Sequence, residues 1–137
     1  MKRMKSIKII MIVLMSVVLT GCANDLKCSI KTSNYESTVK IAYKEDKPTK
    51  YSFKDKMKFS ATSADSELYY YGKLSEYENL INEKHAKVRN KATSVEVSIK
   101  YNFTSDTSAQ EGKLLVKRDE TKSKAIKRIE DLGYKCK

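Results

Sequence analysis

From residue 26 onward the chain alternates. Leu26, Cys28 and Ile30 are interleaved with Lys27, Ser29 and Lys31, and Val39, Ile41 and Tyr43 with Lys40, Ala42 and Lys44. Tyr51, Phe53, Met57 and Phe59 then follow among Lys50, Ser52, Lys54, Lys56 and Lys58. Successive side chains of an extended strand point to opposite faces. Three such runs in a row, over 26–32, 37–45 and 49–60, therefore specify half-buried antiparallel strands with one apolar face. The connections, Ser33-Asn34-Tyr35 and Asp46-Lys47-Pro48, have turn chemistry.

The period then changes. Ser63 or Asp65 suits a helix N-cap, Glu67 places an acid in the first turn, and Tyr70, Leu74, Tyr77, Ile81 and Val88 recur at three- and four-residue steps. The pattern predicts a helix over about 64–86, with Gly72 inside it costing about 1 kcal/mol relative to alanine. Alternation returns over 93–104, where Val95, Val97, Ile99, Tyr101 and Phe103 share a face. After a polar loop from Ser105 to Gln110, Leu114 and Val116 suggest a fifth strand over 111–118. Thr121 then caps a short helix over 122–132 that stops at Gly133. The expected fold is α+β: an antiparallel sheet of about five strands, in the order βββαββα, with one long and one short helix on its apolar face. The order of strands within the sheet stays open.

The N-terminus reads differently. Residues 1–8 hold four cations and no acid, and residues 9–19 are apolar apart from Ser16. A basic stretch, a short apolar run and small residues before a cut describe a secretory signal. The run of 11 residues falls short of the roughly 20 needed to span a bilayer. Leu19-Thr20-Gly21-Cys22 resembles the bacterial lipobox. That resemblance implies cleavage between Gly21 and Cys22, with lipid on the Cys22 thiol. Two acyl chains anchor stably where one binds only marginally. The expected organisation is a lipoprotein signal over 1–21, a lipidated terminus and short tether over 22–25, and one domain over 26–137. The expected location is the extracytoplasmic face of the cell membrane.

The chain has three cysteines, Cys22, Cys28 and Cys136. With Cys22 taken by lipid, an even pair remains, and in an exported setting Cys28 and Cys136 read as a disulfide joining the ends of the domain. Two reduced thiols are the alternative, although no CxxC spacing supports redox or metal chemistry. Of 28 Lys and Arg, four lie in residues 1–21, leaving 24 against 17 acids, or +7 for residues 22–137. A basic surface suits an anionic lipid or wall polymer, but acids are interleaved nearly throughout, and general composition explains the excess as well.

Three segments carry a family resemblance: Tyr43-Lys44-Glu45-Asp46-Lys47 continuing to Lys50, Ser63-Ala64-Asp65-Ser66-Glu67 at a helix start, and the ending Leu132-Gly133-Tyr134-Lys135-Cys136-Lys137. With the lipobox they resemble small bacterial lipoproteins of the DUF1307 type. The resemblance implies a lipid-anchored compact α+β domain and supplies no catalytic residues.

Catalytic parts are scarce. The single histidine, His85, sits among Glu83, Lys84 and Lys87 and reads as a solvent-facing helix residue. Glu45-Asp46, Glu76-Glu78, Asp119-Glu120 and Glu130-Asp131 do not converge locally, because neighbouring side chains diverge. Four glycines, at 21, 72, 112 and 133, allow no phosphate loop, and no His/Cys spacing fits a metal. The sequence thus points to no enzyme, no cofactor and no metal. One feature suggests binding. Lys50, Lys54, Lys56 and Lys58 share a strand face, with Lys40 and Lys44 on the neighbouring strand. Like charges side by side cost stability, so they suit an anionic partner; a solvated face that deters edge pairing is the competing account. Tyr69-Tyr70-Tyr71 spans too much helix surface for all three to be buried, and two core rings with one rim ring are expected. The export signal disfavours nucleic acid. The reading is a membrane-anchored, non-enzymatic binding module for an anionic wall polymer or an envelope protein, or else an accessory subunit of an envelope complex.

Overall fold

A computed structural model of the chain describes residues 25–60 and 64–137. The signal segment, Gly21, Cys22 and the cap candidate Ser63 lie outside the described residues. The elements are β1 (Leu26–Lys31), β2 (Tyr35–Lys44), β3 (Lys47–Lys58), α1 (Ala64–Glu76), α2 (Glu78–Asn82), β4 (Ala86–Lys91), β5 (Ser94–Asn102), a 3-10 turn (Glu111–Lys113), α3 (Lys122–Asp131) and β6 (Lys135–Cys136). Six strands form one sheet in the order β4-β5-β3-β2-β1-β6, and every pairing is antiparallel. The fold is α+β, with α1 packed against β4 and β5, and α3 against β1 and β6.

The alternating positions do what their period requires. Leu26, Cys28, Val39, Ile41, Tyr51, Phe53, Val97, Ile99, Tyr101 and Phe103 are all buried on one face of the sheet. Each such aliphatic or aromatic side chain contributes about 1.5–3 kcal/mol when fully buried. Leu80, Leu114, Val116, Ala125, Ile129 and Tyr134 close the core from the other side.

The β2–β3 turn is two residues long. Glu45 and Asp46 both have positive φ, 53° and 60°, the geometry that matches the twist of flanking strands. Lys47 and Pro48, expected in the turn, belong to β3. The ladder to β5 begins only at Lys50↔Asn102, so the missing N–H of Pro48 breaks no bond to that strand. Tyr35 likewise belongs to β2, after a turn in which the Thr32 hydroxyl accepts from the Tyr35 N–H at 3.1 Å.

Two larger expectations fail. The long helix stops early: after a break at Tyr77, α2 ends at Asn82, and residues 86–91 form β4 along the sheet edge. The stop is Lys84, with φ 65°, whose successor His85 donates its N–H to Leu80 O at 2.8 Å. Glycine usually takes this left-handed position, so a lysine there conceals the boundary, and Val88 belongs to the two-residue period of β4 and not to the helix. Residues 111–118 are not a strand either. Leu114 and Val116 are buried, but the backbone bonds to side chains instead of a ladder. Leu115 N–H donates to the Tyr51 hydroxyl at 3.2 Å and Leu115 O accepts from Arg128 at 2.5 Å. The sixth strand, Lys135–Cys136, was too short to leave a periodic signal.

Cys28 and Cys136 lie directly opposite each other in the β1–β6 ladder and form a disulfide, Sγ–Sγ 2.02 Å. The flanking bonds join Lys27 and Lys137, which leaves the cysteines in the closer, non-hydrogen-bonded type of pair. Thr121 stands at the N-cap of α3 without a side-chain capping bond; Asp46 Oδ1 takes the Lys122 N–H at 3.0 Å instead. Asp65 lies inside α1, in its first turn.

Candidate ligand-binding face

The face of the sheet turned away from the core carries the lysines. Lys50, Lys54, Lys56 and Lys58 lie at alternate positions of β3, on the face opposite Tyr51 and Phe53. The register across five strands sorts them into rows that no single strand reveals.

The row that ends β1 alternates in sign. Lys31 faces Glu36, Glu36 faces Lys56, Lys56 faces Glu96, and Glu96 faces Arg89. Lys56 pairs with Glu96 at 3.8 Å and Lys91 with Glu96 at 3.1 Å. Lys58 pairs with Glu36 at 3.4 Å and Lys31 with Glu36 at 3.7 Å. The hydrogen bond from Lys58 lowers the Glu36 carboxyl below its usual range, and the one from Lys91 does the same for Glu96. Lys56 and Lys58, expected in an anion site, thus have carboxylate partners already.

The next two rows contain no acid. In one, Lys27, Lys40, Ser52 and Lys100 stand side by side on β1, β2, β3 and β5. In the other, Ser29, Thr38, Lys54, Ser98 and Lys87 follow on β1, β2, β3, β5 and β4. No described carboxylate forms an ion pair with Lys27, Lys40, Lys54, Lys87 or Lys100. Lys27 directly opposite Lys40 is a destabilising cross-strand pair. In the alternating row, by contrast, each cation stands opposite an acid. A groove of about 960 Å³ runs over these rows and the alternating one; Lys27, Lys40, Lys54, Lys87 and Lys100 line it, and Lys56, Arg89, Glu36 and Glu96 line its charge-paired side. Two further carboxylates, Asp25 and Asp106, border its other end together with Lys50. The Asp106 carboxylate accepts the Asn102 N–H at 2.9 Å.

Sequence reasoning found Lys40, Lys50 and Lys54 but missed Lys27, Lys87 and Lys100. The outward phase of Lys27 and Lys100 was visible in their runs; that they meet Lys40 across three strands was not. Lys87 follows the helix expected over about 64–86, in a stretch to which the sequence assigns no strand.

His85 is not on a helix. It lies 16% exposed between α2 and β4, its ring edge-on to Tyr101 at 4.9 Å between centroids. Its Nδ1 is 3.9 Å from Asp106 Oδ2, beyond hydrogen-bond reach. Behind it, Arg118 grips Glu111 through two nitrogens, with the Tyr101 hydroxyl donating to the same carboxylate. The Arg118 bond lowers the Glu111 carboxyl, while burial and Glu111 push the Tyr101 phenol up to about 12. These groups fasten the 103–121 segment to the sheet. Of the three successive tyrosines, Tyr69 and Tyr70 are half-buried and Tyr71 is exposed, so none enters the core; Tyr77 does. Among the described residues no group of three His, Cys, Asp or Glu side chains fits a metal, and no helix is long and apolar enough to cross a membrane.

No family model matches the chain, and no curated protein matches it. Among solved structures it is similar to the NMR structure of the Escherichia coli YehR protein, with TM-score 0.52 and 17% identity over 82% of this chain and 89% of that one. At that identity the likeness concerns the fold.

Proposed function

We propose that the protein is an extracytoplasmic lipoprotein held to the membrane by lipid on Cys22, and that its domain is a non-enzymatic binding module working through the outer face of the sheet. The binding half rests on one observation: the same face pairs its lysines with Glu36 and Glu96 in one row and leaves two adjacent rows without an acid. Uncompensated cations in an open groove attract anions and raise their local concentration. The anchoring half is supported by the signal pattern, the lipobox-like Leu19-Thr20-Gly21-Cys22 and the resemblance to DUF1307-type lipoproteins.

Both halves are testable. Cys22→Ser should leave an unlipidated precursor in cells fed labelled fatty acid, and normal labelling would refute the anchor. Reversing Lys40, Lys54 and Lys100 to glutamate should abolish retention on an anionic cell-envelope fraction at low salt. Reversing Lys58, which already has a partner, should change it little. Equal losses would remove the face from consideration.

A second reading, an accessory subunit of an envelope complex docking through its helical side, is supported by Leu68 and Tyr71. They are 71% and 66% exposed and adjacent on α1 at i, i+3 spacing. Photo-crosslinking from position 71 in intact cells should then capture one recurrent envelope protein; a scattered set would count against it.

A further inference from the structure

We propose that the ligand of the acid-free rows is a linear phosphodiester polymer with hydroxylated repeat units, lying across the strands. This rests on the binding-module reading above and names its ligand. The observation behind it is a pairing of side-chain chemistries. Four neighbouring strands each present, at two consecutive outward positions, one lysine and one hydroxyl: Lys27 with Ser29, Lys40 with Thr38, Lys54 with Ser52, and Lys100 with Ser98. On β3 the order is reversed, so the lysines zigzag across the two rows.

Three features of this array select the ligand. First, charge alone calls for lysines alone. A small hydroxyl beside each lysine leaves a low floor that a ligand can reach, and it both donates to and accepts from a polyol or sugar hydroxyl. None of these four hydroxyls bonds to a described group. Second, all five groove cations in these rows are lysines. The chain uses arginine where it grips carboxylates with a planar fork, at Arg118–Glu111 and Arg128–Glu120. A lysine ammonium is a point charge with three rotatable donors, which suits tetrahedral phosphate without selecting planar carboxylate. Third, the groove crosses the sheet from Lys27 on β1 to Lys87 on β4. Five strands at about 4.8 Å spacing span roughly 19 Å, enough for several repeat units in a row. A flat bilayer surface would touch the lysine tips and leave the floor hydroxyls unused.

The test uses the detergent-solubilised full chain and calorimetric titration with poly(glycerol phosphate) of fixed length, inorganic polyphosphate, a single-stranded oligonucleotide and phosphatidylglycerol vesicles. Replacing Lys40, Lys54 and Lys100 by serine should weaken poly(glycerol phosphate) binding about tenfold or more. Replacing the paired Lys56 and Lys58 by serine should weaken it less than about twofold. Thr38→Ala with Ser52→Ala and Ser98→Ala should weaken poly(glycerol phosphate) about threefold or more while leaving polyphosphate unchanged. Unaltered thermal melting of each variant excludes misfolding. Equal losses from the two lysine sets would overturn the proposal, since only net charge would then be read. Oligonucleotide binding as tight as that of the polymer would overturn it too. Vesicle binding without polymer binding, indifferent to the hydroxyls, would assign the face to the membrane surface: this proposal falls and the binding module stands. No binding to any of the four probes would remove the binding module as well.

Discussion

At the scale of single residues, the polar groups turned toward the core decide most. Asp55 is 6% exposed on the inner side of β3. Its Oδ2 accepts from the Tyr35 hydroxyl at 2.6 Å, and its Oδ1 has no hydrogen-bond partner among the described residues. Burial raises its carboxyl above the ordinary 3.8, against the pull of the Tyr35 bond and the Lys73 charge, with Glu76 adding to the rise. A raised folded value means that folding favours the neutral form. That stabilisation is fully present below the unfolded value and is lost as pH rises through the folded one. Asp55→Asn cannot titrate. The wild type should therefore gain stability relative to the variant between pH 7 and pH 3.5, read as the difference in urea midpoints at each pH; a constant difference would contradict this account. Arg128 offers a second case. It holds Glu120 through two nitrogens, at 2.9 and 2.5 Å, and also bonds Leu115 O. Glu120 is only 10% exposed, so Arg128→Met leaves a largely desolvated carboxylate and a carbonyl without their partner. A loss of about 2–3 kcal/mol in chemical denaturation is expected, and a loss under about 0.5 kcal/mol would show the pair to be solvated.

At the scale of elements, the informative failures share one cause. Strands β1, β2, β3 and β5 were legible because period-two burial is local: each residue's face follows from its neighbours in the chain. The end of the first helical region and the path of 103–121 were not, because backbone conformation there is set by particular contacts. Lys84 adopts a left-handed conformation that glycine reaches without strain, held by Lys84 N–H donating to Ile81 O and His85 N–H to Leu80 O. Lys84→Gly should therefore stabilise the domain by about 0.5–1 kcal/mol, measured as a shift in melting temperature; destabilisation would mean that the lysine side chain holds the turn. The 103–121 segment kept an alternating Leu114/Val116 signature without a ladder. Arg118 supplies polar contacts from within the segment, and Arg128 and Tyr51 supply them from elsewhere in the chain.

At the scale of the whole molecule, the two ends of the domain meet at the sheet edge. Cys28 and Cys136, separated by 108 residues, close nearly the whole domain into one loop. In the chain-entropy model a loop of about 100 residues is worth up to about 4.7 kcal/mol, and often less. Double substitution by alanine should lower unfolding stability by about 2–4 kcal/mol and free β6 first, seen as faster amide exchange at Lys135 and Cys136 than at Val97 or Ile99. Unchanged exchange at the C-terminus would show that the short strand holds without the bridge.

What the sequence determined by itself was which way each strand's side chains face, hence an antiparallel sheet with an apolar side and a lysine-rich side. It also marked Cys28 and Cys136 as an expected pair, which the β1–β6 ladder brings together in a disulfide. Which lysines keep their charge uncompensated is set by the packing of the strands. Lys56 and Lys58 look the same as Lys54 along β3, yet Glu96 and Glu36 reach the first two and no described carboxylate pairs with the third. The physical reason is that facing direction depends on neighbours two residues away, whereas charge compensation depends on register. Register is fixed between strands as far apart in sequence as Lys27, Lys40 and Lys100.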